Sequence, residues 1–265
     1  MITRRAFAAL WAPLAASAQS NQEKAQRIVA AAIEALGGER FKGMKDREEV
    51  GRVYSFYNSR LSGFARATIL TRYLVHPERP EIGKLYVRER QTFGKKQDYS
   101  VMFDEDNGYS ITFRGAAPLP DAQVTRYRDS ARRNAFYLLR QRLGEPGLIM
   151  EARGTEIFDN QPTDVVDFTD SDNMTVSVQF HQTTHLPVRQ VFFRRNPVSK
   201  EKDEEEALYS KYREVKGVQW PYAITRHKNG EKVYEIFSES VRIDEDFPDQ
   251  LFTIPANMKI LPQLK

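Results

Sequence analysis

The chain has 265 residues, 40% hydrophobic, 29% charged and 11% aromatic, which is enough apolar material for a core and excludes global disorder. Cysteine is absent, which excludes disulfides, thiolate metal sites, Cys nucleophiles and a lipidated N-terminal Cys. Forty Lys and Arg against 36 Asp and Glu give +4, and setting aside Arg4 and Arg5 leaves +2, so the charge does not point to nucleic acid.

The chain opens with Arg4-Arg5-Ala6-Phe7, an apolar run over 8–14, and Ala16-Ser17-Ala18. A basic head, a short apolar stretch and a small-x-small end form a secretory signal, with cleavage expected between Ala18 and Gln19. The paired Arg with Phe two positions on is similar to a twin-arginine export signal, and general Sec export is the alternative. The run is too short to span ~30 Å of hydrocarbon. The expected product is one domain over 19–265: monomeric, periplasmic or secreted, soluble and unanchored.

Ser20 and Glu23 have capping-box spacing. Ala25, Ile28, Val29, Ala32, Ile33 and Leu36 then follow at helical intervals, and Gly37-Gly38 stops the helix. Strand signals follow over 50–56, 64–74, 84–92, 97–103 and 108–113. Residues 116–120 read as a Pro-bounded loop. A second amphipathic helix starts at Asp121 or Thr125 and reaches about Leu143, with Arg126, Arg133 and Arg140 in one stripe. That stripe is read either as a site for anionic head groups or as a solvated face whose aliphatic stems cover sheet edges, and the second reading is preferred.

Strands resume over 148–158, 163–169, 174–180, 187–195, 208–215, 218–227 and 232–243, with 199–206 read as a charged loop and 252–264 as a Pro-rich tail. The expected architecture is α+β: about eleven strands in one strongly curved antiparallel sheet, an unclosed half-barrel covered by two amphipathic helices. Two apolar stripes stand out. Met174, Val176, Val178 and Phe180 line one face, and Val218, Trp220, Tyr222 and Ile224 line another. Such stripes are ordinary core or the wall of a ligand cavity, where acyl burial contributes ~0.8 kcal/mol per methylene.

Several stretches in order carry a family resemblance: Ala32-Ile33-Glu34-Ala35-Leu36-Gly37-Gly38, Asp106-Asn107-Gly108-Tyr109, Pro118-Leu119-Pro120 and Phe136-Tyr137-Leu138-Leu139. Gly154-Thr155-Glu156-Ile157-Phe158-Asp159, Leu186-Pro187-Val188-Arg189, residues 209–221 and Leu251-Phe252 continue it. The chain resembles a bacterial exported group with the fold of the lipoprotein carriers LolA and LolB. The resemblance implies an unclosed barrel whose helices lid an apolar cavity, which in those carriers holds acyl chains. No functional residue of theirs is carried over.

His181 and His185 are four apart, in a predicted hairpin turn that does not supply the helical geometry for a shared metal. His76 and His227 stand alone. There is no Gly-rich phosphate loop and no nucleophile elbow, and spacing singles out no acid–base pair. The expectation is therefore a non-catalytic protein without metal or cofactor. It binds a lipid or the acyl chain of a lipoprotein, or alternatively serves as an envelope protein-interaction domain with a filled core.

Overall fold

The computed structural model describes residues 5–74, 80–94, 96, 98–196 and 199–263, with side chains of the first helix described from Ser20. His76 and the first four residues of the expected leader lie outside them. Helix α1 (Arg5–Leu36) runs unbroken past Ala18 and Gln19. A short helix α2 (Glu39–Gly43) leads into six strands: β1 (Asp46–Tyr57), β2 (Arg60–Tyr73), β3 (Val87–Phe93), β4 (Tyr99–Phe103), β5 (Gly108–Thr112) and β6 (Gly115–Pro118). A helical crossing follows, made of α3 (Asp121–Arg133), α4 (Ala135–Tyr137) and one π turn (Leu138–Arg142). Seven more strands complete the chain: β7 (Ile149–Phe158), β8 (Gln161–Thr169), β9 (Thr175–His181), β10 (Pro187–Arg195), β11 (Lys202–Val215), β12 (Val218–Lys228) and β13 (Glu231–Ile243).

All thirteen strands form one antiparallel sheet in the order β6-β5-β4-β3-β2-β1-β13-β12-β11-β10-β9-β8-β7. The chain starts in the middle with β1 and winds out to one edge. It then crosses by α3 and α4 and winds back from the other edge until β13 pairs with β1, Val53 opposite Ile236. The edges β6 and β7 do not pair, so the barrel is unclosed. The C-terminal tail shields β6: the Ala116 N–H donates to the Lys259 carbonyl (2.9 Å) and the Leu261 N–H to the Ala116 carbonyl (2.8 Å).

The core follows from strand alternation. Val176, Val178 and Phe180 on β9 and Val166 and Phe168 on β8 turn to the concave face. There they pack with Ala25, Val29, Ile33 and Leu36 of α1 and with Phe136, Leu138 and Leu139 of the crossing. The Gly37 turn ends α1 against the β11–β12 hairpin. Its φ is +124°, and a Cβ there would lie 2.3 Å from the Gly217 carbonyl oxygen, so only glycine fits.

Three local expectations are corrected. Residues 115–118 form strand β6 although they lack β-branched residues, because the Gly115 turn folds them back on β5 and the tail covers their outer side. Most of the charged 199–206 stretch is strand, because Glu205 meets Arg194 (2.9 Å) and Glu206 meets Arg189 across the β10–β11 ladder. The second helix breaks at Asn134, whose Oδ1 accepts from the Phe136 and Tyr137 N–H groups (3.0 and 3.2 Å) and so starts a new helix. The break also divides the Arg stripe. Arg133 pairs with Asp129, whereas Arg140 turns inward, stacks over Tyr73 (4.2 Å) and donates to the Phe41 and Met44 carbonyls.

Candidate functional site

The concave face is not filled throughout. A cavity of about 450 Å³ lies between β1–β3 and β10–β13 below and the helical crossing above. This is within the ~300–1,000 Å³ usual for small-molecule sites. Ile69, Ile224 and Ile236 form its floor, and Tyr127, Ala131 and Phe136 its roof. Along β12 it runs from Trp220 to Lys228, about 25 Å at strand rise.

The two ends differ. At one end Arg47, Glu49 and Trp220 are 3–7% exposed, so this end is closed. At the other, Arg226 and Val233 are exposed, so this end is the mouth.

The roof is strapped to both rims. Tyr127 of α3 stacks flat on Phe103 of β4, with centroids 3.7 Å apart. On the other side Arg194 of β10 donates to Asp129 Oδ2 (3.2 Å) and Ser130 Oγ (3.0 Å). Deeper in, Gln190 Oε1 accepts from the Ala135 N–H and from the Tyr209 hydroxyl, both at 2.6 Å, and so pins α4 to β10 and β11.

The closed end is polar. Arg47 donates to Glu49 and to Thr71 Oγ1 (3.0 Å), and its guanidinium lies 4.2 Å over the Trp220 ring. Ser238 Oγ donates to Glu49. Burial works against the Arg47 charge, but Tyr73, Glu49 and Glu89 outweigh it and hold its pKa above the ordinary value. Among the described residues, Arg47 Nε, Trp220 Nε1 and Tyr127 Oη on the lining lack a hydrogen-bond partner. Each such group costs about 1–3 kcal/mol, which a polar ligand atom would offset.

Glu89 of β3 faces the same space and accepts from Gln91 Nε2 (2.6 Å). Burial pushes its pKa up, against the opposing effects of that bond and of Arg47 and Arg226. An acid raised in the folded state stabilises the fold below its unfolded pKa and loses that contribution as pH rises through its folded pKa. Glu89→Gln should therefore raise the melting temperature at neutral pH. The gain over the native chain should shrink as pH falls through the carboxylate's titration, as measured by thermal melts across pH 4–8. Burial likewise pushes the Tyr137 and Tyr234 phenols up to about 12, leaving both neutral, and Tyr137 Oη accepts from the Tyr86 N–H (2.9 Å).

The eight apolar residues expected at a cavity separate into two groups. Trp220 and Ile224 line it. Val176, Val178, Phe180, Val218 and Tyr222 lie in the main core, and Met174 is half-buried at the start of β9. Arg47, Glu49, Glu89 and Tyr127 carry the polar character of the site and were not singled out in the sequence. The inward parity of 47, 49, 51 and 53 on β1 was the available signal. His227 also lines the cavity, with Nδ1 2.9 Å from Glu206 Oε2. His181 instead caps its own turn, with Nδ1 accepting from the Thr183 and Thr184 N–H groups (3.1 and 3.2 Å).

No protein-family model matches the chain, and no curated protein matches it. Solved structures do. A DUF1329-family protein from Desulfovibrio piger superposes with a TM-score of 0.57 at 10% identity, covering 86% of this chain and 97% of the other. An outer membrane lipoprotein-sorting protein domain from Vibrio parahaemolyticus gives 0.56 at 10% identity, with the same coverage. A LolA-superfamily protein from Nitrosomonas europaea gives 0.54 at 12%, again over 86% and 97%. The curved open sheet, the helical crossing over its hollow and these superpositions establish that the chain has the LolA/LolB-like fold.

Proposed function

We propose that this protein is a non-catalytic carrier that holds an acyl-bearing amphiphile, a lipid or the acyl chain of a lipoprotein, in its half-barrel cavity outside the cytoplasm. The observation that carries this reading is the cavity itself, open at one end, with Ile69, Ile224 and Ile236 forming an apolar strip along a floor that also carries Thr71, Glu89 and Gln190. The acyl chain lies along Ile69, Ile224 and Ile236, and the unpartnered donors at the closed end meet polar atoms of the guest. Ten buried methylenes would contribute roughly 8 kcal/mol before ordering costs, enough for useful affinity.

The lipoprotein-sorting name of the Vibrio structure supports the choice of guest. The signal-like N-terminus supports the compartment. Among the described residues no helix is long and apolar enough to cross a membrane. Native mass spectrometry of protein taken from its own envelope should show a co-purifying lipid. A homogeneous ligand-free mass, together with no binding of a fluorescent long-chain acyl probe, would favour the envelope-interaction reading instead.

A further inference from the structure

In an antiparallel sheet successive hairpins fall at alternate ends. The β1–β2, β3–β4, β5–β6, β10–β11 and β12–β13 turns therefore share one end, together with the β8–β9 turn farther along the sheet, which carries Asp170 and Asp172; it is the end at which the cavity opens. Adjacent tips are roughly 10 Å apart along the rim.

These tips carry two kinds of exposed side chain. Phe113 is 88% exposed, Tyr57 75% and Leu61 61%, with Tyr99 and Val233 also outward. Among them stand Arg60, Lys96, Arg114, Arg195 and Lys202, none with a carboxylate partner among the described residues. Arg195 and Lys202 even face each other across the β10–β11 ladder, a like-charge placement that costs stability. The opposite end carries Asp104, Glu105 and Asp106 in the β4–β5 turn and Asp244, Glu245 and Asp246 after β13, where Glu105 pairs with Arg88 and Glu245 with Lys216, both at 2.9 Å. The unpaired cations of the tips draw the mouth toward negative charge.

We propose that this rim docks the open mouth onto the surface of an anionic lipid bilayer. The cations meet head-group phosphates, and the aromatic and apolar tips enter the interface. Apolar side chains spread over four separated turns, β1–β2, β3–β4, β5–β6 and β12–β13, suit a soft surface rather than one flat protein face. The like-charged Arg195–Lys202 pair gains a counter-charge only when such a surface arrives. What passes through the mouth rests on the carrier reading; the docking itself does not.

The absence of cysteine makes a positional test direct. An environment-sensitive fluorophore is attached to the full chain at Ser62→Cys, beside the β1–β2 tip, or at Asp106→Cys, at the opposite end. Each is titrated with vesicles of phosphatidylcholine alone or with one quarter phosphatidylglycerol. The Ser62→Cys label should shift to the blue with anionic vesicles, lose the shift in high salt and respond weakly to neutral ones. The Asp106→Cys label should stay unchanged.

Reversing Arg60, Lys96 and Arg195 to Glu should weaken the response at least about 100-fold, since each surface cation contributes about a factor of five. The melting temperature should not fall, since Arg195→Glu sets a carboxylate opposite Lys202, and acyl-probe binding should stay as it was. A shift at Asp106→Cys, an equal response to both vesicle types, or indifference to the charge reversal would overturn the docking. Acyl-probe binding that persists alongside such a result would leave the carrier reading standing.

Discussion

Arg142→Met is expected to destabilise the fold by about 3–5 kcal/mol. Arg142 closes the helical crossing and is 3% exposed, yet it is fully engaged. Its Nε donates to Glu145 Oε2 (2.6 Å), its Nη2 to Glu145 Oε1 (3.0 Å) and Asp170 Oδ2 (3.2 Å), and its Nη1 to the Arg132 carbonyl (3.0 Å). Burial opposes the charge, but Glu145 and Asp170 outweigh it and hold the Arg142 pKa above the ordinary value. Without the guanidinium, two buried carboxylates remain, and Arg132, 2.8 Å from Glu145, is their one ion-pair partner among the described residues.

The loss reaches the site, because the same residues tie the crossing that roofs the cavity to the β8–β9 turn. Denaturant titration measures it. Combining Arg142→Met with Glu145→Leu and Asp170→Asn should recover much of the stability, since the cost lies in the stranded charges. A loss below 1 kcal/mol for the single substitution would mean that the network is not a structural tie.

The second large effect is on binding. Ala207 of β11 is 6% exposed and its side chain borders the cavity. In Ala207→Phe the new ring is directed at the cavity from a residue that also packs in the core, so the overpacking cost should stay within about 1–3 kcal/mol and leave the chain folded. Displacing about three methylenes of a bound chain removes ~0.8 kcal/mol each, a loss of affinity of about 50-fold. Titration with a long-chain acyl probe reads this directly. Undiminished affinity in a folded variant would place the probe elsewhere.

The strand segments and the curl of the sheet were legible because alternation is written plainly where one face is buried, as from Val176 to Phe180 with Ser177 and Gln179 between. The edge strand Gly115–Pro118 was not, because tertiary cover rather than side-chain preference makes it a strand. The stop at Asn134 was visible as a capping residue but lay inside a helical periodicity that continued past it. The site was least legible. Arg47 and Glu49 read as a polar lead-in to β1, and only the register opposite Thr71 and Ile69 turns them inward. Apolar stripes mark the concave face equally where it is packed and where it is hollow, so Val178 and Ile224 look alike in sequence. The difference depends on whether α1 or the crossing lies above them.

Trp220 offers the most direct measurement, since it lines the closed end of the cavity and Trp11 is the only other tryptophan. In a Trp11→Phe chain, a fatty acyl probe brominated along its tail should quench the remaining emission saturably at stoichiometric concentration. The same probe should quench far less after Ala207→Phe. Emission that stays constant through the titration, from a chain that still melts cooperatively, would contradict an acyl guest in the half-barrel.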